Sequence, residues 1–466
     1  MMRAHEAGAL HGQAGSRGPA WLDLPEDPNE LVPQLWPATV RKVDGVLTAG
    51  GVSMLDIARE YGTPTYVVDE HDFRSRARAF REAFVGWDVY YAGKAFLCTT
   101  TARWVHEEGL RLDVCTGGEL AVALRAGVPA ADIGLHGNNK SRRELVRALD
   151  AGVGRIIVDS HDEIDRIVEI ATELGVTARV MVRVTAGVEA HTHEYIATAH
   201  EDQKFGLSIT EGEALEAVRR IVDEPSMEFR GVHSHIGSQI FDTSGFEVAA
   251  RRVVGLHAQI IKECGYTPPE LDLGGGFGIA YTTQDDPSTP AQLAAGMREI
   301  VAYECGALGV AMPKLSIEPG RAIAGPSTFT LYEVGTVKPV ALDGGATRTY
   351  VSVDGGMSDN IRTALYDADY SCTLASRRSE VEPTLTRVVG KHCESGDIIV
   401  KDEFLPGDLA VGDLIAVPGT GAYCRSMASN YNHVPKAAVV AVRDGEARLM
   451  LRRETEDEML ALDVGY

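Results

Sequence analysis

Several short stretches carry the residue types that could do chemistry together. Lys94 lies in YAGKAF, and His233 and His235 lie in HSHIGSQ. Three glycines, including Gly276, follow one another in LDLGGGFG, and Glu318, Gly320 and Arg321 belong to IEPGR. Further on come Arg362 and Tyr366 in DNIRTALYDA, Cys393 and Glu394 in CESGD, and Tyr423 in GTGAYC. A lysine amine is a nucleophile once burial or a neighbouring cation lowers its pKa. Glycines let backbone N–H groups approach phosphate oxygens without Cβ interference. A carboxylate at a strand end is costly to bury unless it meets a cation. Arginines hold carboxylates bidentately. Each stretch alone has a bland reading: a solvated lysine, a tight turn, a core histidine, a Glu318–Arg321 pair, an ordinary amphipathic turn. Their value depends on what brings them together.

From residue 65 to 320 the chain alternates short apolar, β-branched runs with longer helix-period segments. The runs are VYYAGK, LRLDVC, IGLHGN, RIIVDS, ARVMVRV, FRGVHSHIG, ELDLGGG and KLSIEPG. Near-continuous apolar runs are the mark of parallel strands buried on both faces. Eight such units in this length predict a (β/α)8 barrel, with a doubly wound open sheet as the alternative. The position of the unusual residues favours the barrel. Lys94, Asp113, His136, Asp159, His235, Gly276 and Glu318 all fall at or just past the C-terminal end of a run, where barrel enzymes place their chemistry. The connection Thr185–Gly206 is long, polar and rich in histidine, the texture of a loop at the barrel mouth. Its His191 and His193 lack a third ligand nearby, so no metal site is expected. After residue 325 the helical pattern gives way to strand-like pieces with Gly, Pro and Asp-Gly turns. These predict an antiparallel β-barrel or sandwich domain that also takes the N-terminal strands. The expected division is a flexible tail and arm over 1–35, a segment over 36–64 joining the β domain, the barrel over 65–325 and the β domain over 326–466.

Composition narrows the partners. The chain has 466 residues, beyond the usual reach of one hydrophobic core, so two domains are expected. A formal charge of -22 disfavours nucleic acid and anionic membranes. No apolar run approaches the ~20 residues of a membrane span, and no signal-peptide pattern opens the chain. The 7 cysteines show no paired metal spacing and read as reduced thiols of a cytoplasmic protein.

Taken together, YAGKAF, HSHIGSQ, LDLGGGFG, IEPGR and CESGD resemble the fold-type III pyridoxal-phosphate decarboxylases, and most of all their diaminopimelate branch. The resemblance covers nearly all of the chain after about residue 35. It implies pyridoxal 5'-phosphate as cofactor, joined through its aldehyde to Lys94. It places the cofactor phosphate among Ser238, Gly276 and Gly320, with Arg321 following, His235 on the ring face and Glu318 opposite the ring nitrogen. It makes Cys393 a proton donor and Glu394 the holder of the substrate's distal amino end. Arg321, Arg362, Tyr366 and Tyr423 would contact substrate, Tyr423 the cofactor as well. It further implies a homodimer whose active sites are shared across the interface. The expected reaction is loss of CO2 from meso-2,6-diaminopimelate to give L-lysine, the last step of lysine biosynthesis. Decarboxylation of ornithine, lysine or arginine, and a non-catalytic homologue that only binds the cofactor, are the alternatives. A racemase on the same fold needs two opposed proton-transfer groups, which the thiol with an acidic neighbour does not suggest.

Overall fold

The computed structural model describes residues 18–19, 21–185, 204–235, 237–341 and 347–465. His191 and His193 of the expected loop lie outside the described residues, as do residues 1–17 of the expected tail. The chain divides into two compact units, one spanning 74–278 and 287–322, the other 1–73, 279–286 and 323–466.

The first unit is the eight-stranded parallel barrel. Its strands are β1 (Asp88–Ala92), β2 (Arg111–Val114), β3 (Ile133–Leu135), β4 (Arg155–Val158), β5 (Ala178–Thr185), β6 (Met227–Ser234), β7 (Glu270–Asp272) and β8 (Lys314–Ile317). They pair in chain order, and β8 closes onto β1 through Ser316–Asp88 and Ile317–Val89. Every expected run is therefore a strand, and the open-sheet alternative falls because an open sheet has no such last pairing. The helices between strands are written locally. Ser141 accepts from Glu144 N–H while Glu144 answers the Ser141 N–H, a reciprocal cap for Arg142–Ala151. Thr289 and Gln292 do the same for Pro290–Leu308, with proline in the first turn. Left-handed Gly152, Gly175 and Gly309 stop three of the helices. One strand glycine is dictated by packing: a Cβ at Gly231 in β6 would lie 1.9 Å from the Glu270 carbonyl oxygen of β7. Under the glycine loop after β7, Phe277 packs against Phe80 at 5.4 Å and Phe246 at 5.4 Å between ring centroids. That aromatic cluster, worth about 0.5–1.5 kcal/mol per pair beyond burial, anchors the loop that follows the strand.

The second unit is built on a nine-stranded sheet around the long strand Thr328–Ala341. That strand pairs antiparallel with Thr347–Val353, Leu414–Pro418 and Thr65–Asp69. The sheet is mixed, with two parallel pairings inside an otherwise antiparallel frame. Thr65–Asp69 runs parallel to Ala438–Arg443, and Thr347–Val353 runs parallel to Pro383–Val389. The N-terminal pieces Arg41–Val43, Val46–Ala49 and Val52–Ser53 make a three-stranded antiparallel sheet of their own. Leu35, Trp36, Leu47 and Ile57 pack with Phe329, Leu331 and Val440 in one core, so the N-terminal strands do join this domain. Each such side chain fully buried contributes about 1.5–3 kcal/mol, enough to tie the strands to core partners that come much later in the chain, such as Phe329 and Val440.

Candidate active site in the barrel

The C-terminal ends of the barrel strands surround a cavity of about 280 Å³, lined by Lys94, Asp113, His136, Arg183, His235 and Glu318 among others. Lys94 stands two residues past β1 on a tight turn in which the Ala95 N–H donates to the Ala92 carbonyl. Gly93 lets that turn pass: its N–H donates to the Asp113 carbonyl, and a Cβ there would lie 2.8 Å from the same oxygen. The lysine side chain is exposed to the cavity.

Glu318, just past β8, is buried among basic groups. His233 Nε2 lies 3.1 Å and His136 Nε2 3.2 Å from its Oε1, with Arg155 Nη2 at 3.9 Å. Burial works against the carboxylate charge, and the His233 imidazole overcomes that, holding Glu318 below its ordinary pKa. Despite the short distances, Oε1 makes no directed hydrogen bond among the described residues, and neither do the facing Nε2 atoms. The donor atoms of His136, His233 and Glu318 are close enough to share an ion. Their 3.1 and 3.2 Å separations are also within the range of direct histidine–carboxylate ion pairs.

Below this layer Arg155, 1% exposed, crosses the barrel interior. It donates to Asp272 Oδ2 at 2.5 Å and Ser316 Oγ at 3.0 Å, and its guanidinium lies 3.7 Å from the Tyr90 ring centroid. Burial disfavours its charge, but Tyr90 and Asp272 more than compensate, and the guanidinium stays firmly protonated. Asp113 is pushed up to about 7, by burial first and then by the charge of Asp272, against the opposing Arg155.

His235 accepts the Gly275 N–H at Nδ1, 3.2 Å away, which leaves the ring proton on Nε2. Burial, reinforced by the Lys94 charge, holds its pKa well below 6.5, so the ring is neutral. The loops after β6, β7 and β8 meet closely. A Cβ at Gly276, where φ is +110°, would lie 2.9 Å from the Gly237 carbonyl, and one at Gly320 would lie 2.9 Å from Ala92 Cβ. Arg321 Nη2 donates to Ser238 Oγ at 2.7 Å, tying the first loop to the third. Cys115 also faces the cavity, but burial, against the pull of Lys94, pushes its thiol up to about 12, so it stays protonated.

A family model, "Pyridoxal-dependent decarboxylase, pyridoxal binding domain", matches residues 70–325. The chain is 58% identical to a diaminopimelate decarboxylase of Mycobacterium tuberculosis, over 93% of this chain and 98% of that one. It is 44% identical to one from Bacillus subtilis, over 91% and 96%. The chain belongs to the diaminopimelate decarboxylase family of pyridoxal-dependent enzymes. A crystal structure of an M. jannaschii diaminopimelate decarboxylase in co-complex with L-lysine superposes with a TM-score of 0.86 at 31% identity, covering 92% of this chain and 98% of that one.

The family's cofactor is pyridoxal phosphate, and the barrel fits it. An ionised carboxylate with an oxygen free of hydrogen bonds suits a protonated ring nitrogen. The loops after the last strands, crowded until only glycine fits, lie where barrels bind phosphate. Within the barrel, the sequence-predicted Lys94, His235 and Glu318 share one cavity. Ser238, Gly276, Gly320 and Arg321 belong to the adjoining loops.

Cys393, Glu394, Arg362, Tyr366 and Tyr423 lie in the sheet unit. Cys393 and Glu394 are exposed, and the Cys393 N–H donates to Asn432 Oδ1. Arg362 is buried; it donates to Tyr370 Oη at 2.5 Å and lies 4.6 Å from the Tyr281 ring centroid. Tyr366, one helical turn on, is only half-buried. Tyr423 takes a left-handed φ of +61°. Sequence reasoning placed Asp113 and His136 at strand ends on the catalytic face without a specific role, and gave none to His233 or Arg155. The available signals were a charge opening the apolar run RIIV and the first histidine of HSHIGSQ, one alternation before His235.

Proposed function

We propose that this chain releases CO2 from meso-2,6-diaminopimelate and leaves L-lysine. The observation that carries the reading is the cavity that joins Lys94 to a buried, ionised Glu318; the relatives named diaminopimelate decarboxylase support the substrate. Among the described residues no helix is long and apolar enough to cross a membrane.

The reaction exchanges one carboxylate for one proton on the same carbon. When bound, the cofactor supplies a protonated aromatic ring able to take up the electron pair that CO2 leaves behind. Lys94 Nζ would hold the cofactor covalently between turnovers. Glu318 would keep the ring nitrogen protonated, and neutral His235 would cover the ring face without adding a competing charge. Ser238, Gly276, Gly320 and Arg321 would hold the phosphate, with Arg321 also reaching substrate. Cys393 would return a proton to the carbon. Arg362 would take the distal carboxylate, Glu394 the distal ammonium, and Tyr366 and Tyr423 would complete the substrate's surroundings. Leaving either distal charge unpaired in a desolvated pocket costs a few kcal/mol, so selectivity for a substrate with both follows.

A side-by-side assay of CO2 release tests this. Diaminopimelate should react at least about 10²-fold faster than ornithine, lysine or arginine, the discrimination expected when a site loses a charged partner. Arg362→Ala should erase that preference while cofactor binding stays intact. Equal turnover of lysine and diaminopimelate by the unaltered protein would point to the broader basic-amino-acid reading.

The protein is further proposed to act as a cytoplasmic homodimer in which Cys393 of one subunit serves Lys94 of the other. All seven cysteines are free thiols, in keeping with a reducing compartment. Lys94→Ala and Cys393→Ala homodimers should each be nearly inactive. Random exchange between them makes half the dimers hybrids, and each hybrid holds one site with both lesions and one with neither. Activity recovered to about a quarter of the native value is the expected outcome. No recovery, in a mixture shown to contain hybrids, would leave both residues in one chain's site.

A further inference from the structure

Around Cys393, three loops of the sheet unit are tied together by one carboxylate and one amide. Asp397 accepts from the His392 N–H at 2.7 Å and from the Met357 N–H at 2.6 Å, joining the Cys393 loop to the loop before Arg362. The join leaves no slack: a Cβ at Gly390 or Gly356 would lie 2.2 or 2.5 Å from an Asp397 carboxylate oxygen.

The third loop contributes Asn432, held at φ +51°, a left-handed conformation that asparagine tolerates better than most residues. Its Oδ1 lies 3.2 Å from the Cys393 backbone nitrogen and 3.2 Å from His392 Nδ1. A backbone N–H can only donate, so the amide oxygen, not the amide nitrogen, must face Cys393. The same oxygen then decides the histidine tautomer. Nδ1 carries the proton and donates to Asn432, while Nε2 accepts from the Ser358 hydroxyl at 2.8 Å. His392 is 8% exposed and packs on the Tyr431 ring, whereas the Cys393 side chain it precedes is exposed.

We propose that Asn432, braced by His392 and Ser358, is the positioning residue for Cys393: its Oδ1 fixes the Cys393 amide and thereby the direction of the thiol. This rests on Cys393 being the proton donor. An exposed thiol on an untethered loop would spread over many orientations, and displacing a reacting group by about 1 Å can cost about 10²-fold in rate. The tether runs through backbone, so it acts on where the sulfur points and not on whether the substrate binds.

The test uses the full-length, cofactor-loaded protein. Asn432→Gly keeps the left-handed backbone and removes the acceptor; Asn432→Asp restores an oxygen able to accept from both N–H groups. Amide hydrogen exchange at Cys393, resolved by fragmentation mass spectrometry, should quicken by about tenfold in the glycine variant, the size of one lost hydrogen bond. It should stay near the native rate in the aspartate variant. In parallel, kcat should fall by about 10- to 100-fold for glycine with KM within about twofold, and recover in aspartate. Ser358→Ala removes the far end of the brace and should move exchange and kcat the same way by a smaller factor. It also decides the case should the glycine variant fail to fold. Native exchange at Cys393 in both the glycine and serine variants overturns the tether. Faster exchange with unchanged kcat, where Cys393→Ala is inactive, overturns the positioning role. Native turnover in Cys393→Ala is a different failure, that of the proton-donor reading, and the exchange data would still stand.

Discussion

Lys94→Ala is expected to fold normally and lose turnover on the order of 10³-fold or more, because the amine's effective concentration at the bound aldehyde cannot be replaced by solvent nucleophiles. The side chain is exposed to the barrel cavity, so its removal opens no void, and stability should change by no more than about 0.5 kcal/mol. Borohydride reduction of the unaltered protein followed by peptide mapping should place the cofactor adduct on Lys94, and the variant should yield none. A second readout is independent of turnover. The Lys94 charge adds to burial in depressing the His235 pKa, so without it His235 should become easier to protonate. The Cys115 pKa should rise as well, moving the thiol further from ionisation, because Lys94 is what pulls it down against burial. An adduct on another lysine would remove Lys94 from the chemistry.

Glu318→Gln tests the electron sink. Glutamine keeps the size and hydrogen-bonding capacity of the side chain and removes the charge that favours a protonated ring nitrogen. Loss of one preorganised electrostatic partner of a developing charge typically costs about 10²–10³-fold in kcat. The same loss is expected here, with cofactor affinity little changed, because the sink matters in the transition state more than in the ground state. The surroundings sharpen the case. His136 is kept neutral chiefly by burial, with the Glu318 charge pulling its pKa the other way. Neutralising Glu318 should therefore depress His136 further, so that ring stays neutral in the variant and the comparison isolates the lost anion. Near-native turnover with a lowered melting temperature would identify Glu318 as a structural partner of His233 and Arg155 instead.

The barrel was legible in the sequence because its code is local. RIIV and IGL are buried along their whole length and read as continuous apolar runs. Ser141 with Glu144, and Thr289 with Gln292, announce helix starts within four residues. The placement of Lys94, His235 and Glu318 at strand ends followed from those strands, since the C-terminal ends of parallel barrel strands converge on one face.

The charge state of the site was decided elsewhere. Arg155 meets Asp272 across 117 residues of sequence, and Glu318 meets His233 through the β6–β7–β8 pairings and His136 across the closure of β8 onto β1. The pairing of Thr65–Asp69 with strands beyond residue 325 has the same origin. Asn432 reaches Cys393 only through a left-handed turn in a loop 39 residues away. Periodicity and capping record how a segment uses its own hydrogen bonds and apolar face, and those are settled within a few residues. Which carboxylate loses its water, and which cation it finds there, depends on neighbours in space. Desolvation and Coulomb energy act across the barrel interior, where sequence separation has no bearing.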